Sequence, residues 1–216
     1  MVQDRIKRAM VAAGRDPTEV KMIVVTKNFP VSDVEILYTL GLRNFGENRD
    51  QEGALKSGQL PGDIRWHFQG QIQSGKINSI SSWADCIHSL DSLSHARKFS
   101  AIAQRKVSAF FLQVNLEPGR PDRGGIAPST VCEFLDQLAS EAGIAPIGLM
   151  TVAPIQADPA IAFGELKNLQ NRLRGSFPTL TSLSMGMSGD FEAALGAGAT
   201  HLRIGSSILG SREVPA

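Results

Sequence analysis

Short β-branched and apolar runs alternate with longer stretches of helical periodicity along nearly the whole chain. Met1 to Gly14 sets apolar residues at helical spacing among Asp4, Arg5, Lys7 and Arg8, which predicts a helix within residues 1–16. Lys21-Met-Ile-Val-Val-Thr26, flanked by Pro17 and Pro30, reads as a buried strand, and Val31 to Leu40 as a helix stopped by Gly41. The same unit then recurs. Asn44-Phe45-Gly46 leads to a helix from Asn48 to Lys56, and Arg65 to Phe68 leads to one near Ser74 to Ile80. Asp85 to Ser89 precedes Ser92 to Gln104, and Ser108 to Val114 precedes Ser129 to Ala142. Pro146 to Met150 leads to Asp158 to Arg174, Ser182 to Met185 to Phe191 to Gly196, and Thr200 to Ile204 to a short turn at Ser207 to Ser211. Eight strand–helix units over 216 residues predict an α/β fold, a single closed (β/α)8 TIM-type barrel spanning 20–212 behind the N-terminal helix. An open doubly wound sheet is the rival architecture. No Pro/Ser-rich linker divides the chain, so 1–216 is taken as one domain. The longest irregular stretch, Glu117 to Pro128, is either an active-site loop or a surface excursion.

Composition narrows the function classes. A net charge of +1 from 22 basic and 21 acidic residues gives no electrostatic case for nucleic acid or an anionic membrane. No run approaches the roughly 18 apolar residues that cross a bilayer, and the N-terminus does not read as a signal peptide. The two cysteines, Cys86 and Cys132, lie far apart without a CxxC. They read as core thiols, and a cytoplasmic protein is expected. His67, His88, His95 and His201 show no ligand spacing, so no metal is expected, and His67 reads as a core histidine.

Three features carry chemistry. In such barrels the loops after the seventh and eighth strands often hold phosphate. These loops read Ser184-Met-Gly-Met-Ser-Gly-Asp190 and Arg203-Ile-Gly-Ser-Ser-Ile-Leu-Gly210. Their glycines and serines either make tight βα turns or bring Ser188, Gly205 and Ser206 to an anion at a helix start. Lys27 ends the first strand on the face of Ile23 and Val25. There it is either a solvated strand end or an amine at the mouth of an apolar lumen, where desolvation favours a nucleophile for an aldehyde. Arg203, paired with His201 on one face of the last strand, points inward and must find a partner; a salt bridge to a neighbouring strand is the plain alternative.

Val25-Thr-Lys27, Asn44-Phe-Gly-Glu-Asn48 with Gln51-Glu52, Trp66-His-Phe-Gln-Gly70 with Gln73, Gly148-Leu-Met150, Ser184 to Asp190 with Glu192, and Arg203-Ile-Gly205 follow in this order. From about Met22 to Arg212 the chain resembles the pyridoxal phosphate homeostasis protein family (YggS/PROSC type). The resemblance implies a barrel similar to the N-terminal domain of alanine racemase. It also implies a protein of intracellular vitamin B6 homeostasis that holds pyridoxal 5′-phosphate as a lysine aldimine, without established turnover. By position, Lys27 is the aldimine lysine, and Ser188, Gly205 and Ser206 hold the phosphate. Asn48 lies beside the cofactor, Met150 and Met185 line the pocket, and Arg203 faces the pyridine nitrogen. Cytoplasmic PLP-dependent apoenzymes are the partners this implies, and a monomer is expected.

The chain departs from the family pattern at Gly75-Lys76, where Asn-Lys is commoner, at Asp122-Arg-Gly124, where Lys-x-Gly is commoner, and at Ile208-Leu-Gly210, where Ile-Phe-Gly is. The alternative function is a PLP-dependent racemase or decarboxylase. Such enzymes generally add a C-terminal β domain, and this chain stops at Ala216, so a non-enzyme is expected. A Schiff-base aldolase would need a lysine on a later strand. Tyr38, the one tyrosine, falls inside the first barrel helix. Glu52 shares a helix face with Asn48 and either orders it or caps solvent, and Asp190 is expected to cap the following helix.

Overall fold

A computed structural model describes residues 2–117, 119–120 and 123–210. Among these, eight parallel strands close into a barrel in sequence order. Helix α1 (Val2–Ala12) precedes β1 (Lys21–Val25), α2 (Val31–Thr39), β2 (Asn44–Glu47), α3 (Asp50–Gln59), β3 (Arg65–Phe68) and α4 (Ile77–Trp83). There follow β4 (Cys86–Leu90), α5 (Leu93–Ser100), β5 (Ala109–Gln113), α6 (Val131–Gln137), β6 (Gly148–Met150) and α7 (Pro159–Leu173). The chain closes with β7 (Ser182–Ser184), α8 (Phe191–Gly196), β8 (His201–Ile204) and α9 (Ser206–Leu209). The first and last strands pair in register, Lys21 with His201 through Val24 with Ile204. This is the TIM-type barrel that the alternation predicts. The expected helix Ser129 to Ala142 divides into α6 and a π-helical turn, Leu138–Ala142, ended by left-handed Gly143. Ser211 and Arg212 fall outside the described residues.

Strand alternation builds two cores. One face of each strand packs outward: Val24, Phe45, Trp66, Phe68, Leu112, Leu149, Leu183, Leu202 and Ile204 join the helices in one apolar cluster. Helix α1 closes over α8 with Ile6 and Met10 buried, while Arg5 bonds Glu192 and lies over the Phe191 ring. The inner face differs from expectation. Branched aliphatics usually fill such a lumen. In this barrel Ile23, Phe111 and Met150 share it with His67, His88, His201, Ser184 and Arg203, all buried. The lumen is polar.

Two cysteine and loop expectations resolve differently. Cys86 is buried beside Phe111 and Met150, but Cys132 is exposed, on the solvent side of α6. The loop 117–128 is described except at 118, 121 and 122, so Asp122 lies outside the described residues. Its described part is tied to the barrel where Asp91 accepts from Gly125 N (3.0 Å) and Gln113 Nε2 donates to Gly124 O (2.7 Å). It borders a separate cavity with Glu165 of α7. Gly75-Lys76 lies in a 3-10 turn, Ser74–Lys76, before α4.

Candidate functional site

At the C-terminal ends of the strands lies a cavity of about 380 Å³. Seven of the residues singled out in the sequence line it: Lys27, Asn48, Met150, Ser188, Arg203, Gly205 and Ser206. Met185 does not. Ser184 faces the lumen, so alternation turns Met185 outward, where it is fully buried in the outer cluster with Leu183 and Leu202. Met187, two residues on, borders the cavity instead. Gln69, which the sequence offers only as part of the Trp66 to Gly70 motif and with no role, and Val152, which it does not offer, also line it. Gln69 stands two residues after inward-facing His67, so alternation along β3 and its continuation is the signal that finds it.

Lys27 sits half-buried on a turn gripped from both sides. Lys56 of α3 donates from Nζ to Thr26 O (2.8 Å), and Thr26 Oγ1 donates to Glu47 Oε1 (2.6 Å). Beyond Lys27, Asn28 N donates to Glu52 Oε2 (2.6 Å). Asn28 has φ of +64°, a left-handed conformation that asparagine tolerates better than most residues. Glu52 thus holds the lysine turn rather than Asn48. Glu47 and Lys56 form a buried ion pair at 2.6 Å. Burial raises the Glu47 carboxyl above its ordinary range, opposed by its hydrogen bonds from Lys56 and Thr26.

Asn48 reaches the cavity because Gly70 lets β2 and β3 approach. A Cβ on Gly70 would lie 1.9 Å from Asn48 O. Among the described residues, Asn48 Oδ1 and Gln69 Nε2 are buried without hydrogen-bond partners, and both residues face the cavity. Buried polar atoms of this kind are usually satisfied, and here both look into the open cavity.

Arg203 is 5% exposed and makes no salt bridge among the described residues. It donates from Nη1 to Ser184 Oγ (2.9 Å) and from Nη2 to Thr151 O (2.8 Å). Burial pulls its guanidinium down to about 10, opposed by nearby Asp190, so it stays charged at neutral pH.

The two loops after β7 and β8 are joined directly. Ser188 Oγ accepts from Ser207 N (3.2 Å). Gly186, at φ +92°, lets its turn pass close to α8, since a Cβ there would meet that of Ala194 at 2.6 Å. Asp190 stands at the N-terminal boundary of α8, but its carboxylate turns back and accepts from Met187 N (2.6 Å). It closes the loop rather than capping the helix.

Below the cavity the histidines come together, which their sequence spacing does not reveal. His67 Nδ1 and His88 Nε2 are 2.9 Å apart, and ligand-type atoms of His67, Cys86 and His88 all lie within 4.8 Å of one another. Burial holds His67 and His201 down to about 3 and His88 well below its ordinary value, while it pushes the Cys86 thiol up to about 12. Neutral imidazoles and a protonated thiol result. Tyr38 lies away from the site and donates to Asp63 (2.9 Å). Among the described residues no helix is long and apolar enough to cross a membrane.

The alanine racemase N-terminal domain family matches residues 2–213. A pyridoxal phosphate homeostasis protein of Mycobacterium bovis is 35% identical over 238 residues, covering 99% of this chain and 91% of that protein. The structure of PipY from Synechococcus elongatus with PLP bound superposes with a TM-score of 0.81 at 32% identity, over 95% of this chain and all of that one. Alanine racemase from Corynebacterium glutamicum, 14% identical with a TM-score of 0.64 over 63% of its chain, shares the fold.

Proposed function

Because the chain belongs to the pyridoxal phosphate homeostasis protein family, on the alanine racemase N-terminal fold, we propose that it binds pyridoxal 5′-phosphate and holds it without turnover, as part of vitamin B6 homeostasis. One observation carries the proposal. An amine, a guanidinium, two joined glycine–serine loops and two unpartnered buried amide atoms converge on one cavity. That donor set fits the group. When bound, pyridoxal phosphate supplies an aldehyde that amines capture reversibly and a ring that draws electrons.

Lys27 is the residue that would hold the aldehyde carbon, on a turn fixed by Lys56, Glu47 and Glu52. Ser188, Gly205 and Ser206 would hold the phosphate, where backbone amides at a helix start and hydroxyl donors favour a dianion. Asn48 and Gln69 supply an acceptor and a donor beside it, and Met150 and Val152 an apolar wall. Arg203 would face the ring nitrogen. A guanidinium can only donate, so with the group bound it would leave that nitrogen unprotonated and the ring a weaker electron sink than a carboxylate partner would make it. Such a site favours holding the cofactor and releasing it to amines or to PLP-dependent apoenzymes.

Absorbance titration with pyridoxal phosphate tests binding, and no spectral change on addition refutes it. The loaded protein should then be incubated with L-alanine, other amino acids and diamines in deuterium oxide. Spectral shifts without inversion, decarboxylation or sustained α-hydrogen exchange are expected. Multiple turnovers would instead make the protein a racemase or decarboxylase.

A further inference from the structure

A line of hydrogen bonds runs through the lumen from the cavity to the opposite mouth of the barrel. Arg203 Nη1 lies 2.9 Å from Ser184 Oγ, which lies 2.7 Å from His88 Nδ1. His88 Nε2 is 2.9 Å from His67 Nδ1, and His67 Nε2 is 3.2 Å from Asn44 Oδ1. Four strands contribute, β8, β7, β4 and β3, with Asn44 at the start of β2. Ser184 and His88 are fully buried, and Arg203 and His67 are 5% exposed.

Donor counting fixes the direction. Arginine has no acceptor. Ser184 Oγ must therefore accept from Arg203, and at the far end Asn44 Oδ1 can only accept, so the order is read back from there. His67 presents its Nε2–H to Asn44 and its Nδ1 to His88 Nε2–H, which leaves His88 Nδ1 to take the single Ser184 proton. Every bond has one donor and one acceptor. We propose that a donor-only Arg203 at one end and Asn44 Oδ1 at the other impose this one-way order, which holds His88 and His67 both as Nε2–H tautomers, and that Ser184 and His88 are positioning residues for the Arg203 guanidinium.

The surroundings agree. Groups facing the two imidazoles are His201 and Arg203 of β8, Lys21 of β1, Arg65 of β3 and Cys86 of β4. Lys21, Arg65 and Arg203 are cationic side chains, so a second proton on either ring is disfavoured. The trio His67, Cys86 and His88 has metal-type spacing, but its facing nitrogens bond each other and its thiol keeps its proton. With Nη1 on Ser184 and Nη2 on Thr151 O, two bonds set the guanidinium plane beneath the cavity. Only the consequence for a bound ring rests on the cofactor reading; the tautomers do not.

The test is long-range proton–nitrogen correlation on protein labelled with 15N-histidine, without cofactor, at pH 7. His67 and His88 should each give a single neutral Nε2–H pattern. An Nδ1–H tautomer, an imidazolium, or loss of either pattern on adding one equivalent of Zn²⁺ would overturn the proposal. Ser184→Ala should break the single-tautomer pattern at His88, and Ser184→Thr, which keeps the hydroxyl, should restore it. An unchanged pattern in the alanine variant overturns the proposal as well. The wild-type spectrum decides the tautomers even where a variant fails to fold. A second arm adds pyridoxal phosphate: Ser184→Ala should shift the absorption maximum of the bound form, and Ser184→Thr return it. Wild-type protein that ignores pyridoxal phosphate but shows both Nε2–H tautomers refutes the cofactor reading and leaves the line standing.

Discussion

Mild acid should unfold this barrel, and the lumen histidines are the reason. His67 and His201 are held by burial from the ordinary 6.5 to about 3, and His88 is held well below its ordinary value. In the unfolded chain each returns to about 6.5. Between those limits the folded protein binds fewer protons than the unfolded one, so stability is complete above pH 6.5 and is lost as the pH falls towards 3. His67 and His201 each cost about 1.4 kcal/mol per pH unit below 6.5, hence about 2 kcal/mol at pH 5 and about 4 kcal/mol together, and His88 adds to the loss with the same sign. Against the roughly 5–15 kcal/mol of a typical domain, that loss decides whether the barrel stays folded. Glu47 and Asp91, both raised by burial, act with the opposite sign and return part of the loss at the acid end of the window. Urea unfolding at pH 7, 6, 5.5 and 5, followed by circular dichroism, gives the slope. His201→Gln removes one titrating group and should lower the slope between pH 6 and 5 by about 1.4 kcal/mol per unit. Stability that is level from pH 7 to 5, or a slope that the variant leaves unchanged, would refute a lumen of neutral histidines.

Borohydride reduction of the loaded protein should place the phosphopyridoxyl group on Lys27, by peptide mass mapping, and Lys27→Ala should abolish trapping while retaining weaker phosphate-dependent binding; label on Lys76 or another lysine would contradict the assignment. Ser188→Ala removes a hydroxyl donor to a dianion, worth about 1.5–3 kcal/mol, so affinity for pyridoxal phosphate should fall tenfold or more while that for pyridoxal changes little in equilibrium dialysis. Lys56→Met leaves Glu47 buried and uncompensated and should destabilise the fold by about 3–5 kcal/mol in urea, with the Glu47→Leu, Lys56→Met double variant recovering much of it.

The barrel was legible because its strands are short apolar runs and its helices carry helical periodicity, so eight units stand out without any contact being known. Lys27, Arg203 and the two loops were legible because strand ends and glycine–serine turns have local signatures. What local pattern does not give is what lies across the lumen and which partner a side chain finds beyond its own element. Met185 was misplaced by one step of alternation, although apolar Leu183 beside it marks the outward face. His201 and Arg203 turn inward by alternation alone, but the contact of His67 with His88 does not show in the sequence, because they stand 21 residues apart and only the pairing of His67 with Cys86 across β3 and β4 brings them together. Glu52 and Asp190 were given local roles on their own helices, yet each carboxylate serves a backbone amide elsewhere, Asn28 N and Met187 N. Cys132 was read as a core residue because cysteine is often buried, but its side of α6 faces solvent.

The pairing of β1 with β8 brings the two extremes of the barrel together, Lys21 against His201, and with them Lys27 and Gly205. A chain emerging from the ribosome therefore displays its lysine turn long before the loops that face it exist. Seam closure joins segments some 180 residues apart, the kind of contact that forms late because the intervening chain must first be ordered. A ligand that needs both sides of the seam meets no site on the nascent chain and can act only on the finished barrel. It should accordingly slow unfolding while leaving the rate of refolding unchanged.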